Sequence, residues 1–136
     1  MVRKIVRDPI FLKCKSGEAT AKDIQIAVDL ADTLRANLDR CVGMAANMIG
    51  ERKRIIAVAN GPVVVAMLNP EILGKSGEYE AEEGCLSLDG IRKTKRYRSI
   101  RLSWQDLQMK RHIGNLEGFH AQIVQHEIDH CDGILI

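Results

Sequence analysis

The chain has 136 residues, 46% of them hydrophobic and 28% charged, a balance typical of a soluble globular protein rather than a disordered or fibrous one. Its formal net charge of +2 is too small to indicate a nucleic-acid-binding protein, and no apolar run reaches the ~18–20 residues that span a bilayer. We therefore expect residues 1–136 to form a single domain with one core.

The first residues carry no recognisable export signal. The segment Met1–Val6 has no apolar stretch and no cleavage motif, so we expect a cytoplasmic protein. The chain contains four cysteines, Cys14, Cys41, Cys85 and Cys131. In that setting they are expected to be reduced thiols, of which at least one is free to bind a metal ion.

Residues 20–40 are predicted to form an N-terminal amphipathic helix. Thr20 and Asp23 resemble a capping box, and the apolar positions between Ile24 and Leu38 follow helical spacing. The next segment, Cys41–Gly50, is small and apolar. This composition favours either a tightly packed turn or a backbone that approaches a ligand.

Residues 54–73 favour strands, with a turn at 60–62 and a hairpin-like unit that closes at Asn69-Pro70. Further strands are expected at 78–82 and 95–105, the second because apolar side chains alternate along it. The basic cluster at 92–98 is interpreted as an exposed loop and strand edge. An RNA or membrane surface is the less favoured alternative.

The last predicted element is a helix from about Leu116 to Cys131, with Gly133 as its C-terminal stop. A helix, then strands, then a buried helix indicates an α+β fold. We expect small antiparallel sheets packed around the C-terminal helix.

This helix carries the most informative pattern of the sequence, His126-Glu127-Ile128-Asp129-His130. Histidines four residues apart lie on one helix face, ~5–6 Å apart at Cβ, so both imidazoles can reach one metal ion. The glutamate between them is placed to take a proton from a water molecule. The pattern therefore predicts a hydrolytic metal site.

A catalytic site of this kind needs a third protein ligand. Two groups of zinc metalloproteases supply it downstream, but this sequence ends at Ile136, which stands where one group has histidine. We therefore expect the ligand upstream, at Cys85, although a lone cysteine can also be a buried apolar residue. A purely structural metal is disfavoured because no fourth ligand is evident.

Other candidate ligands are given structural interpretations. His112 and His120 are interpreted as surface or hydrogen-bonded histidines, and Asp129 as a surface or structural residue. Cys131 is expected to pack in the core because it lies well around the helix from His126.

Three segments in this order resemble the signature motifs of the peptide deformylase family. Cys41–Gly50 matches the pattern Gly-x-Gly-Leu-Ala-Ala-x-Gln at Gly43 and at the two alanines that follow Met44. Glu83–Ser87 matches Glu-Gly-Cys-Leu-Ser at every position, and Gln125–His130 matches His-Glu-x-Asp-His with its preceding glutamine.

The resemblance implies hydrolytic removal of the N-formyl group from the initiator methionine of new polypeptides, with release of formate. It implies that Cys85, His126 and His130 bind one divalent ion per chain, Fe(II) first, with Zn(II), Ni(II) or Co(II) as replacements. It assigns the proton transfers to Glu127 and an oxyanion hydrogen bond to the backbone N–H of Leu86.

The partner implied is an N-formylmethionyl peptide near the ribosome, with no specific nucleic acid and no membrane. Val42 and Gly43 are expected to offer backbone groups to the extended peptide, with Gly84 on its other side. Ile123 and Phe119 are expected either to line a pocket for the methionine side chain or to pack in the core.

The sequence departs from the family at Met48, where the family's oxyanion glutamine is expected. A thioether donates no hydrogen bond, and losing one oxyanion donor typically costs ~10²–10³ in rate. Cys41 replaces a family glycine, and Asn47 stands where proline or threonine is common. The Asn47 amide is the nearest substitute donor, but adjacent side chains usually point apart. The alternative to a slowed deformylase is a protein that binds metal and peptide without efficient turnover.

Overall fold

The computed structural model describes residues 1–136 as three α-helices and one five-stranded antiparallel sheet. The helices are α1 (Pro9–Leu12), α2 (Ile24–Ala36) and α3 (Gly118–Cys131). The strands, in both chain order and sheet order, are β1 (Gly43–Ala45), β2 (Ile55–Asn60), β3 (Val63–Cys85), β4 (Leu88–Gln105) and β5 (Arg111–Glu117). The α+β class is confirmed, but one continuous sheet replaces the several small sheets that the sequence predicts.

The short strand β2 is buried on both faces because its apolar run is continuous. Ile55, Ala57 and Ala59 belong to the core cluster that includes α2, whereas Ile56 and Val58 belong to the cluster that includes α3. Successive side chains of a strand point to opposite faces. A single strand therefore holds both helices against the sheet.

The capping box predicted before α2 is present. The Asp23 carboxylate accepts a hydrogen bond from the Thr20 N–H at 2.8 Å, and residues 21–23 form one 3-10 turn before the α-helix begins. The helix ends at Ala36, short of the predicted residue 40. There the buried Asn37 amide donates to the Thr33 carbonyl at 2.7 Å and satisfies one of the last helical carbonyls.

Strand β3 continues through Asn69 and Pro70, where the sequence predicts that the hairpin unit closes. Asn69 has a positive φ of 51°, and the pairing with β4 is interrupted there. The Asn69 side chain accepts from the Ala19 N–H at 2.8 Å and donates to the Gln105 side chain at 2.7 Å. These bonds stabilise a bulge that bends the strand instead of ending it.

The basic cluster at 92–98 lies inside β4, so the expected loop is wrong. It pairs with β3 alone, because β5 pairs only with residues 99–105, so the expected strand edge is confirmed. Its exposed lysines pair with glutamates across the β3–β4 hairpin. Arg96, in contrast, is only 3% exposed and points toward α3. It stays buried because it pairs with two carboxylates, Glu83 on β3 and Asp129 on α3.

Helix α3 begins at Gly118 because residues 116–117 belong to β5, a strand that the sequence does not predict. Gly133 follows the helix with φ of 75°, and a Cβ there would lie 2.3 Å from the Lys13 carbonyl oxygen, so only glycine fits. Cys131 is fully buried in the core, as predicted. None of the helices combines the length and apolar character that crossing a bilayer requires.

Candidate metal centre

Three parts of the fold enclose a cleft of about 600 Å³. The segment 41–43, which leads into β1, forms one wall, and the β3–β4 turn with its flanking residues forms the other. The cleft is closed by α3, through Phe119, Ile123, His126 and Glu127. Every segment that resembles a family motif therefore contributes to one site.

The three predicted ligands come together at this cleft, which Cys85 and His126 line, whereas His130 is fully buried beside them. One donor atom from each of Cys85, His126 and His130 lies within 4.8 Å of the others. The Cys85 Sγ is 3.3 Å from His130 Nε2, which is 3.0 Å from His126 Nε2. Cys85 ends β3 and the histidines lie one turn apart on α3, so strand and helix each supply part of the set. A thiolate with two imidazoles is a donor set that suits zinc or iron.

A buried carboxylate orients one of the two imidazoles. The His126 Nδ1 lies 2.7 Å from Glu83 Oε1, so His126 presents Nε2 to the other ligands. Glu83 also accepts hydrogen bonds from Arg96 at 2.7 and 2.9 Å and from Gln122 at 2.9 Å. Arg96 in turn donates to Asp129 at 2.6 Å, which gives Asp129 the structural role that the sequence suggested.

Sequence reasoning missed the roles of Glu83 and Arg96. The sequence indicated Glu83 only as a member of the motif Glu83–Ser87, and nothing in the basic cluster at 92–98 distinguished Arg96 from its neighbours. The alternation along β4 could have located the arginine, because Arg96 shares its parity with the buried Ile100 and Leu102. An arginine on the inner face of a strand requires a carboxylate partner.

The surroundings shift the pKa values of the two histidines in opposite directions. Burial opposes the charge on His126, but hydrogen bonds with Cys85 and Glu83 outweigh it and raise its pKa to about 10. Burial, followed by the charge on His126, lowers the pKa of His130 to about 3. Burial alone would raise the pKa of Glu83, yet hydrogen bonds from His126 and Arg96 lower it to about 2. A cation that binds here must therefore displace a proton from His126.

Glu127 lies beside the cluster and is only 4% exposed. Its Oε1 has no hydrogen-bond partner in the protein, and burial raises its pKa to about 7. A carboxyl group with a pKa near neutrality can both accept and return a proton. Gly43 makes room for it, because a Cβ at that position would lie 2.8 Å from Glu127 Oε2 and 2.7 Å from Ile123 Cγ2.

The residues predicted to contact a peptide, Val42, Gly43, Gly84 and Leu86, all line the cleft. The Val42 carbonyl, however, accepts a hydrogen bond from the Ala59 N–H at 2.8 Å. The N–H and C=O of one strand residue point to the same side and alternate along the strand. The Val42 carbonyl is therefore engaged in the sheet, and the peptide contacts expected of Val42 and Gly43 stay predictions.

Met48 and Asn47 do not line the cleft. Met48 is buried in the core, where its Sδ accepts from the Ala45 N–H at 3.5 Å. The buried Asn47 amide donates to the His130 carbonyl at 2.9 Å, so it is engaged with α3 and does not replace the missing donor. Cys41 does line the cleft, and burial, with the nearby negative groups, raises the pKa of its thiol to about 11.

The remaining candidates lie as follows. His112 lies 2.7 Å from the Asp106 carboxylate and stacks on Trp104, outside the cleft. Neither it nor His120 belongs to the metal-ligand cluster. Both Ile123 and Phe119 line the cleft, the first buried and the second exposed.

Comparison with known proteins relates the whole chain to one family. Residues 2–136 match the sequence model described as Polypeptide deformylase. The peptide deformylase of Clostridium beijerinckii is 52% identical over 136 residues, which cover 100% of both chains. The peptide deformylase of Dictyoglomus turgidum is 39% identical over 138 residues, which cover 99% of this chain and 88% of the relative.

Solved structures give the same result for the fold. A peptide deformylase from Legionella pneumophila superposes with a TM-score of 0.88 at 32% identity, over 99% of this chain and 83% of that one. A class I type b peptide deformylase from Acinetobacter baumannii with bound Met-Ala-Ser gives a TM-score of 0.87 at 32% identity, over 99% and 97%.

Proposed function

This chain belongs to the polypeptide deformylase family, and on that premise we propose how it removes the N-formyl group from the N-terminal methionine of new polypeptides. It is a metal-dependent amide hydrolase: one formamide and one water give a free amine and formate. The observation that carries the assignment to this cleft is the convergence of Cys85, His126 and His130 beside the buried Glu127.

We propose that Cys85, His126 and His130 hold one divalent ion, Fe(II) ahead of Zn(II), Ni(II) or Co(II). The donor set fits, because three donor atoms converge and Glu83 already fixes the ring of His126. When bound, such an ion acidifies a water molecule and polarises the formyl carbonyl. Cys85 is only half-buried, so an iron-loaded site is expected to be sensitive to oxygen.

Proton transfer is assigned to Glu127. Its carboxylate takes a proton from the attacking water and returns one to the amine nitrogen as the C–N bond breaks. The Leu86 N–H is proposed to donate to the formyl oxygen as charge develops there, because Leu86 directly follows Cys85 and lines the cleft. Met48 adds no second donor, so turnover is expected to be slower than with the family's glutamine.

The substrate is proposed to lie extended between Gly43 and Gly84, which line the two walls of the cleft. Val42 would contact it through its exposed side chain, and Phe119 with Ile123 would contact the methionine side chain. The A. baumannii deformylase holds Met-Ala-Ser, and we propose an N-formylmethionyl peptide of this kind here. We further propose that residues 1–136 act as one domain, in the cytoplasm, on chains near the ribosome.

The test is formate release from formyl-Met-Ala-Ser by iron-loaded protein prepared without oxygen. We expect turnover in the wild type, loss of metal in Cys85→Ser, and retained metal without turnover in Glu127→Ala. Cys14→Ser, which removes a thiol outside the cleft, is the matched control and should behave as wild type.

Wild-type turnover no higher than that of metal-free protein would contradict the proposal. If such a protein still bound a hydroxamate chelator tightly, a metal- and peptide-binding protein without efficient turnover would be the better description. Full activity in Glu127→Ala would remove that residue from the proton transfers.

A further inference from the structure

The segment that precedes α1 contacts the β3–β4 wall of the cleft through Arg7 and the core behind β1 through Val6. Arg7 Nη1 donates to the Leu86 carbonyl at 2.9 Å, and its Nη2 pairs with the Asp89 carboxylate. The preceding residue, Val6, donates its N–H to the Met48 carbonyl at 2.8 Å. Two consecutive residues thus connect the segment that follows β1 with the turn between β3 and β4.

That turn carries one of the metal ligands. β3 ends at Cys85 and β4 begins at Leu88, so Leu86 and Ser87 alone form the turn. The Ser87 N–H donates to Cys85 Sγ at 3.4 Å, and the Leu86 N–H is the proposed oxyanion donor. In so short a turn, whatever holds the Leu86 carbonyl also restrains the thiolate and this N–H.

We propose that Arg7 is a positioning residue for this turn. Through the Leu86 carbonyl it fixes Cys85 Sγ and the Leu86 N–H relative to the histidines on α3. The inference rests on the proposed function, because it assigns a role to Leu86 in that reaction. The planar guanidinium suits this task, since it can bond a carbonyl and a carboxylate at the same time.

The exposure of the Arg7 and Asp89 side chains indicates that their ion pair affects the geometry of the turn more than the stability of the fold. The Arg7 side chain is 54% exposed and that of Asp89 is 96% exposed, and ion pairs between such groups contribute little to the folded state. Removing Arg7 should therefore leave the fold intact and alter the geometry of the turn. Substitutions of residues that support metal ligands typically cost ~10–100-fold in activity or metal affinity.

The experiment measures Arg7→Ala by kinetics and by the visible spectrum of the Co(II)-loaded protein, which reports the ligand geometry. We expect kcat to fall about 10–100-fold with KM within about twofold of wild type. We also expect a changed Co(II) spectrum, one Co(II) retained per chain, and an unchanged unfolding midpoint.

Three further variants show which interaction of Arg7 causes the expected fall in kcat. Arg52→Ala removes an equal charge from an exposed arginine that donates to the Lys15 carbonyl outside the cleft, and should behave as wild type. Asp89→Asn keeps the bond to the Leu86 carbonyl and should cost less than Arg7→Ala. Arg7→Lys keeps the charge but lacks the planar guanidinium that bonds two acceptors at once, so its kcat should lie between those of Arg7→Ala and wild type.

The proposal is overturned if Arg7→Ala keeps both the wild-type kcat and the wild-type Co(II) spectrum. It is also overturned if only KM rises, which would make Arg7 a substrate contact, or if Arg52→Ala loses as much rate. Should Arg7→Ala fail to fold, the same comparison is made with Arg7→Lys. If the wild type releases no formate, the proposed function fails, and the Co(II) spectra still test the positioning role.

Discussion

Replacing Glu127 with glutamine is expected to abolish turnover and to stabilise the metal-free protein at neutral and alkaline pH. Glu127 is buried, its Oε1 has no hydrogen-bond partner in the protein, and its pKa is raised to about 7. A buried carboxylate is costly to ionise, whereas an amide of the same shape carries no charge at any pH. The amide has its own desolvation cost, so the diagnostic quantity is the change of the difference with pH.

The magnitude follows from the shift in pKa. Raising the pKa of Glu127 from 4.5 to about 7 corresponds to about 3 kcal/mol, since each unit is worth ~1.4 kcal/mol. Because the folded-state pKa is raised, the favourable contribution of the protonated group is complete below about pH 4.5 and is lost as the pH rises through 7. The stability of Glu127→Gln relative to wild type should therefore increase by about 3 kcal/mol between pH 4.5 and pH 8.

The assay is urea unfolding of metal-free wild type and Glu127→Gln across that pH range. Glu18→Gln, at an exposed position, is the control and should stay within about 0.5 kcal/mol of wild type at every pH. A stability difference that does not change with pH, or that falls as the pH rises, would refute the assignment of a buried carboxylate with a raised pKa to Glu127. Full turnover by the metal-loaded variant would refute its catalytic role.

Three other substitutions test the site. Gly43→Ala places a Cβ 2.8 Å from Glu127 Oε2, so kcat/KM should fall at least ~10²-fold while metal content stays at one per chain. Unchanged kinetics would show that the side chains around position 43 move aside without cost to catalysis. Glu83→Gln weakens the hydrogen bond that orients the His126 ring and should lower metal affinity ~10–100-fold in a chelator competition. An affinity equal to that of wild type would contradict this expectation. Met48→Gln keeps an acceptor for the Ala45 N–H and adds an amide N–H donor. Its kcat should therefore rise toward ~10²-fold above wild type, whereas Met48→Leu, which adds no donor, should give no gain.

The parts of the fold that the sequence predicts are those decided by local chemistry. The capping box at Thr20, the turn before Val63 and the stop at Gly133 each depend on a few adjacent residues, and the structure has all three. The continuation of β3 through Asn69 depends on distant partners, Ala19 and Gln105, which no local pattern reveals. The strands β1 and β5 were missed for the same reason, since each is defined by pairing with a neighbour.

At the candidate site, too, features set by adjacent residues were predictable and features set by distant contacts were not. The cluster of candidate ligands was predictable because Cys85 and the two histidines occur in segments whose chemistry is distinctive on its own. The commitment of the Val42 carbonyl to the sheet and of the Asn47 amide to α3 was not predictable, because both follow from tertiary contacts. Sequence thus indicates the candidate reacting groups, while the structure shows which neighbouring groups are already engaged elsewhere.

The buried ion pairs around Arg96 explain how strand and helix are kept in register at the site. Glu83 lies two residues before Cys85 on β3, Asp129 lies beside His130 on α3, and Arg96 on β4 bonds both carboxylates. Buried ion pairs contribute little net stability, because desolvation offsets their attraction. Their contribution here is geometric: the arginine ties the strand that carries the thiolate to the helix that carries the imidazoles. Loss of Arg96 should therefore disturb the ligand geometry as well as the fold, since Asp129 would lose its arginine partner and Glu83 would be held by His126 and Gln122 alone.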